Sequence, residues 1–280
     1  MKTGHWTNEE LDYLRAHFIE QGSVEVGRAL DRNHRNVGCM AHYLGLRRGW
    51  GDKPRYRAFS VNADFFKAWS PDMAYVMGVI VTDGNIGERD FNIVSNDPEL
   101  LEKVRDAIGS THRITKLTGQ NTYRLRVGHK EMVKDLIALG ITERKSKTVT
   151  LPAVPDEFFF DFVRGYTDGD GMVNYHPRKA LVLKLTTGSP FILDDVSTTI
   201  TRLLGIDRHE PQAHTQTRRE TVSTWYELTY CGTCAAKICE AMYEHSGNLF
   251  LSRKRQAFTN YTNRPKDQGL RHNGGATKYR

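Results

Sequence analysis

Apolar residues first recur at helical spacing. In "HWTNEELDYLRAHF", Leu11, Leu14 and Phe18 follow Thr7 and Glu10, which stand at the S/T-x-x-E spacing of a capping box. Trp6 before the cap and Leu11 after it are placed to form a hydrophobic staple. "GSVEVGRAL" predicts a short second helix capped by Ser23. "NHRNVGCMAHYLG" predicts a third, with Asn33 as N-cap, Val37, Ala41 and Leu44 on one face, and Gly45 closing it. Its other face carries Arg35, Asn36, His42 and Tyr43.

Further along, the pattern changes. "WSPDMAYVMGVIVTDGN" starts with Ser70 as N-cap and Pro71 at the first helical position, then runs apolar to Val81. "FFFDFVRGYTDGDG" has the same character, and both end on Asp-Gly, at Asp83-Gly84 and Asp170-Gly171. A helix that is apolar all round is a buried one. Small residues recur four apart, at Gly78/Thr82 and Gly165/Gly169, which puts each pair on one helix face. Two such faces predict helices packed with close backbones.

The phrases around these helices also repeat. Strand-like "RDFNIVS" and "ALVLKLTT" follow the two motifs, and each leads to a helix, "DPELLEKVRDAIG" or "SPFILDDVSTTITRLLG". An alternating strand and an amphipathic helix come next, in "YRLRVGHKEMVKDLI" and "YELTYCGTCAAKICE". The expected class is α+β: two pseudo-symmetric αββαββα halves plus a small all-α module at the N-terminus. The expected divisions are 1–46, a basic Gly/Pro-containing linker at 47–69, half one at 70–150, half two at 151–260, and a basic tail at 261–280.

Charge sharpens the picture. The chain of 280 residues has a formal net charge of +7, which favours a polyanionic partner. Residues 251–280 carry eight Lys/Arg against one acid, Asp267, so this stretch suits phosphate contact. No apolar run reaches the ~20 residues of a membrane span, and no secretory leader is apparent, so a soluble intracellular protein is expected, cytoplasmic or nucleoid-associated. Cys231, Cys234 and Cys239 cluster, but a zinc site needs a second pair of ligands; buried reduced thiols are expected instead.

The two aspartates carry the candidate chemistry. A helix C-terminus is partly negative, so an acid there is unfavourable, and two adjacent ones repel. A divalent cation, Mg²⁺ or Mn²⁺, removes the conflict and supports phosphodiester cleavage. The bland alternative, that Asp-Gly only makes a turn, suits one occurrence better than two matched ones.

The motifs Val76–Gly84 and Val163–Gly171 resemble those of the LAGLIDADG homing endonucleases over about residues 70–260. The resemblance implies metal-binding catalytic roles for Asp83 and Asp170, and a structural role for Asp168, where the first copy has Val81. It also implies an active-site lysine in the basic phrase ending each half. Lys254 fits in "FLSRKRQAF"; in "TERKSK" Lys145 is the choice, with Lys147 close behind. The partner implied is double-stranded DNA with a long, asymmetric site, cut by a monomer to leave short 3′ overhangs. No splicing frame is apparent, so the reading is of a freestanding or intron-encoded enzyme.

The first 46 residues resemble Myb-like helix-turn-helix domains in "WTNEE" and "LGL". DNA contacts are expected from Arg35, Asn36 and His42 there and from Arg47 and Arg48 in the linker that follows. In the larger part they are expected from Arg124, Arg126, Lys147, Lys184 and Arg253. The alternatives are a DNA-binding regulator with a non-cleaving LAGLIDADG fold, an RNA maturase assisting intron splicing, and a structural DNA-bridging protein.

Overall fold

The computed structural model describes residues 4–46, 59–141, 149–177, 180–218 and 221–265. The chain forms two compact units, Met1–Ala58 and Phe59–Arg280.

In the smaller unit, α1 (Asn8–Ala29) is interrupted at Gly22, whose φ of 77° only glycine adopts easily; α2 (His34–Tyr43) follows. The predicted three-helix pattern is therefore present, its first break falling at Gly22. The capping box forms: Glu10 N donates to Thr7 Oγ1 (3.3 Å), and Thr7 N donates to Glu10 Oε2 (3.1 Å). Leu14, Phe18, Val26, Val37 and Ala41 make the core. One feature is invisible to periodicity. Arg32, only 4% exposed, donates to Glu10 Oε2 at 2.7 Å and to the Gly4 and His5 carbonyls, with its guanidinium 4.4 Å from the Trp6 ring centre. Trp6 thus packs under an arginine as well as against the apolar cluster.

The larger unit is α+β and consists of two halves with the same αββαββα order. The first runs α3 (Pro71–Asp83), β1 (Gly84–Ile86), β2 (Phe91–Ser95), α4 (Pro98–Ala107), β3 (Ile114–Lys116), β4 (Tyr123–Val127), α5 (Lys130–Ala138). The second runs α6 (Phe159–Asp170), β5 (Gly171–Asn174), β6 (Val182–Thr187), α7 (Pro190–Leu204), β7 (Gln212–Arg218), β8 (Thr221–Cys231), α8 (Gly232–Tyr243); α9 (Ser252–Thr262) is added at its end. Each half folds one antiparallel sheet, in the orders β1-β2-β4-β3 and β5-β6-β8-β7. The inner residues of each sheet, such as Ile93 and Leu125 or Leu185 and Leu228, pair across strands and are fully buried.

Residues 59–69 depart from the linker expected of them. Ser60 N donates to Thr111 Oγ1 (2.8 Å), and Phe66 is buried against the large core, its ring 6.1 Å from that of Phe91. An apolar side chain of that size stays with the core because its burial contributes roughly 1.5–3 kcal/mol. Among the described residues, no helix is long and apolar enough to cross a membrane.

Helices α3 and α6 form the seam between the halves. Ser70 caps α3 by accepting from Met73 N at 3.1 Å, and every residue from Met73 to Val81 is buried. The glycines let the backbones meet. A Cβ on Gly165 would lie 1.9 Å from the Tyr75 carbonyl oxygen, one on Gly78 2.3 Å from that of Phe162, and one on Gly169 1.9 Å from Thr82 Oγ1.

Candidate active site

Each seam helix turns into a strand without a loop. Asp83 is the last residue of α3 and Gly84 the first of β1; Asp170 ends α6 and Gly171 opens β5. Neither glycine has a positive φ, so the left-handed turn suggested by Asp-Gly is not what they provide. They are needed for space. A Cβ on Gly84 would sit 2.5 Å from the Ile80 carbonyl oxygen, and one on Gly171 2.6 Å from Thr167 Cα. The chain must double back over the last helical turn, and that throws the preceding aspartate out at the seam.

Both aspartates line one cavity of about 460 Å³. Its other walls are Val94, Ser95, Asn96, Asp97, Thr122, Asp168, Gly169 and Arg253. Four carboxylates against one guanidinium make a cation-attracting cleft. Asp170 is exposed to solvent, yet partial desolvation by the surrounding protein pushes its carboxyl above the ordinary carboxylate range, and the nearby Lys254 charge opposes that shift. Among the described residues, no side chain donates a hydrogen bond to Asp170.

The donor set suits one kind of ion. Among the described residues, no group of three or more His, Cys, Asp or Glu side chains is arranged to hold a metal. Two carboxylates alone fit Mg²⁺ better than zinc, because Mg²⁺ keeps several waters and takes one or two carboxylates plus substrate phosphate oxygens. Asp83 and Asp170 are the residues that would hold it.

Asp168 is buried at the seam. Its Oδ2 accepts from Tyr75 Oη and from Leu251 N, each at 2.8 Å, while Oδ1 is buried without a hydrogen-bond partner. Desolvation raises its pKa. It ties α3, α6 and the entry to α9 together.

Lys254 does something periodicity did not suggest. It is 2% exposed, and its ammonium donates to the backbone carbonyls of Thr167, Asp168 and Gly171, which surround the end of α6. A cation there offsets the partial negative charge of the helix end and satisfies carbonyls left without helical partners. Burial brings its pKa down to about 8, opposed chiefly by Asp168 and further by Asp83. Lys254 therefore neighbours the aspartates but is not among the residues lining the cavity. Around it, residues 251–253 bind other elements: Ser252 N donates to Glu99 at 3.2 Å, and Arg253 Nε to Asp97 Oδ2 at 3.1 Å. Asp97 and Glu99 belong to the first half, so this segment clasps the halves together beside the cavity.

Arg164 was also missed as a structural residue. It is buried inside the apolar α6, donates to the Met242 and Leu249 carbonyls at 2.6 and 2.9 Å, and pairs with Asp161 at 2.7 Å. Its position in a greasy run was the only available signal.

The expected DNA contacts fall in three groups. Arg35, Asn36 and His42 are exposed on α2, with Tyr43 beside them. On the outer face of the first sheet, Arg126 is exposed but paired with Asp90 at 2.7 Å, and Arg124 is half-buried with an unpartnered Nε. On the second, Lys184 pairs with Glu227 at 2.6 Å. Arg47, Arg48, Lys145 and Lys147 lie outside the described residues, as does the tail beyond 265. The cysteines depart from expectation: Cys39 and Cys231 are exposed, Cys234 is intermediate and only Cys239 is buried, which pushes its thiol up to about 12.

No protein-family model matches the chain, and no curated protein matches it. Solved structures similar to it include the homing endonuclease I-WcaI bound to its DNA recognition sequence, at 10% identity and a TM-score of 0.45, covering 75% of this chain and 95% of that one. Mesophilic variants of the homing endonuclease I-DmoI are similar at 15% identity and a TM-score of 0.39, over 65% and 97%. Full-length DUF199/WhiA from Thermatoga maritima is similar at 9% identity and a TM-score of 0.41, over 74% and 67%.

Proposed function

We propose that the chain is a site-specific endonuclease that hydrolyses both strands of duplex DNA, with a divalent cation, Mg²⁺ or Mn²⁺, held by Asp83 and Asp170. The observation that carries the reading is the seam. Two helices in glycine-to-backbone contact deliver one carboxylate each into a single acidic cavity. Two acids placed side by side at partly negative helix ends repel each other, and a cation between them relieves that repulsion. When bound, the cation supplies charge neutralisation and a more acidic water. The chain's own residues hold the geometry: Gly84 and Gly171 set the two exits, Asp168 fastens α6 to α3, and Lys254 fixes the end of α6. The two outer sheet faces and the exposed face of α2 are the reading surfaces, and a monomer acts on a long, non-palindromic site.

The test is incubation with a plasmid library of randomised sites plus Mg²⁺, then sequencing of the cut ends. Asp83→Asn and Asp170→Asn are each expected to abolish double-strand cutting while leaving the Kd for the selected site unchanged. Full cutting by either variant would make the acids turn residues only.

A second reading, a DNA-binding regulator that does not cut, is favoured by one observation: the Lys254 ammonium is spent on backbone carbonyls. Selective binding with no cut ends would decide for it.

A further inference from the structure

The outer face of the second sheet has an acid at its centre. Glu227 on β8 stands across from Thr186 on β6 and from Gln212 on β7. Three nitrogen-bearing side chains from three strands converge on it. Lys184 Nζ lies 2.6 Å from Oε2, His214 Nε2 3.4 Å from the same oxygen, and Trp225 Nε1 donates to Oε1 at 3.3 Å. His214 and Trp225 are themselves stacked, with ring centres 5.5 Å apart and planes 17° from parallel. The carboxylate is therefore held in one orientation, 19% exposed, on the solvent side of the sheet.

A surface ion pair alone explains little of this, since such pairs are worth at most about 1 kcal/mol. An aromatic stack and an indole N–H are more than an ion pair needs. An ionised carboxylate offers about four acceptor positions. Two are engaged by hydrogen bonds from Lys184 and Trp225, with His214 in ion-pair range of Oε2, which leaves acceptor capacity toward whatever covers the face. A phosphate would be repelled by it. A base amino group would not, and in the major groove the carboxylate's partner is the N4 amino group of cytosine.

We infer that Glu227 is a specificity-determining residue that selects cytosine at one position of the half-site read by the second sheet. This rests on the proposal that the chain binds duplex DNA through its sheets. Lys184 is then a positioning residue for the acid rather than a free phosphate contact. The first sheet works oppositely: Arg124 and Arg126 are donors, suited to the O6 and N7 acceptors of guanine.

The experiment is selection of bound duplexes from a randomised pool by the full chain in EDTA, so that nothing is cut, followed by sequencing. Wild type is expected to enrich cytosine at one position that Glu227→Ala reads indifferently, a change of about tenfold or more in relative affinity there. Glu227→Gln, similar in shape but able to donate, is expected to move the preference at that position to adenine, with other positions unchanged. An unchanged profile in both variants, or equal weakening at every position, overturns the inference and leaves the endonuclease reading standing. A wild-type protein that enriches no sequence overturns both. Thermal melting of each variant confirms that the selected protein is folded.

Discussion

The two halves of the large unit are alike where they face each other and unlike where they face outward. At the seam, α3 and α6 both end on aspartate, both turn into a strand through a crowded glycine, and both approach the other's backbone through a glycine. On the outer faces, Asn92, Arg124 and Arg126 of the first half stand against Met172, Lys184, Trp225 and Glu227 of the second. The core demands likeness because a shared helix pair must fit itself. A solvent face carries no such constraint and is free to diverge toward different contacts. On the proposed function, shared chemistry with unshared recognition is what a single chain acting on an asymmetric duplex would require.

The largest expected effect comes from opening the seam. Gly→Ala within a helix normally gains about 0.5–1 kcal/mol. Gly165→Ala is expected to lose about 3 kcal/mol or more instead, because overpacking against rigid backbone outweighs propensity, and the obstacle here is the Tyr75 carbonyl at 1.9 Å. Gly78→Ala, meeting the Phe162 carbonyl at 2.3 Å, is expected to behave likewise. Gly205→Ala, at a left-handed helix end with nothing within 4 Å, is expected to cost only about 1 kcal/mol. Urea unfolding compares the three; equal midpoints for Gly165→Ala and wild type would show that the helices are not closely packed.

This seam was legible in the sequence, and its surroundings were not, for a physical reason. Helical spacing of Gly78, Thr82, Gly165 and Gly169 is a local pattern, and so is the alternation of Tyr123, Leu125 and Val127 with the two arginines. Such patterns survive in one dimension. Arg32 with Glu10, Arg164 with the Met242 carbonyl, and Lys254 with the Thr167 carbonyl join residues 22, 78 and 87 positions apart. Nothing local marks them, because a buried cation is defined by acceptors the fold brings to it. The same holds for Lys184, read as a free DNA contact until Glu227, 43 positions on, is seen beside it.

Lys254 tests whether the halves share their support as well as their chemistry. Lys254→Met removes a buried charge, which offsets part of the damage, and strands three carbonyls at the end of α6. Leaving a buried polar group unsatisfied costs about 1–3 kcal/mol, so a net loss of that order is expected in urea unfolding. The disturbance is at Asp170 and not in α3. Cutting of one strand is therefore expected to slow more than the other, so that nicked plasmid accumulates on a gel time course. Equal slowing of both strands at unchanged stability would give Lys254 a direct part in both reactions.

The smallest effect concerns the outer faces and has a definite sign. The hydrogen bond from Lys184 holds the Glu227 carboxyl below its ordinary value of 4.5, with Trp225 adding a second bond. A carboxylate whose pKa is lower folded than unfolded binds fewer protons in the native state, so stability rises with pH across the interval between the two values. Its contribution is complete above about pH 4.5 and is lost as pH falls through the folded value. Buried Asp168 at the seam acts in the opposite sense, since desolvation raises its carboxyl, and Asp170 beside it is raised too. Acid titration of stability thus separates outer face from seam. Glu227→Gln is expected to flatten the decline below about pH 4.5 slightly and to leave stability above it little changed, the pair being at the surface. Urea midpoints for wild type and Glu227→Gln across that interval decide it. Parallel curves would mean that Lys184 does not hold the carboxylate in solution, and that the second sheet offers a free lysine.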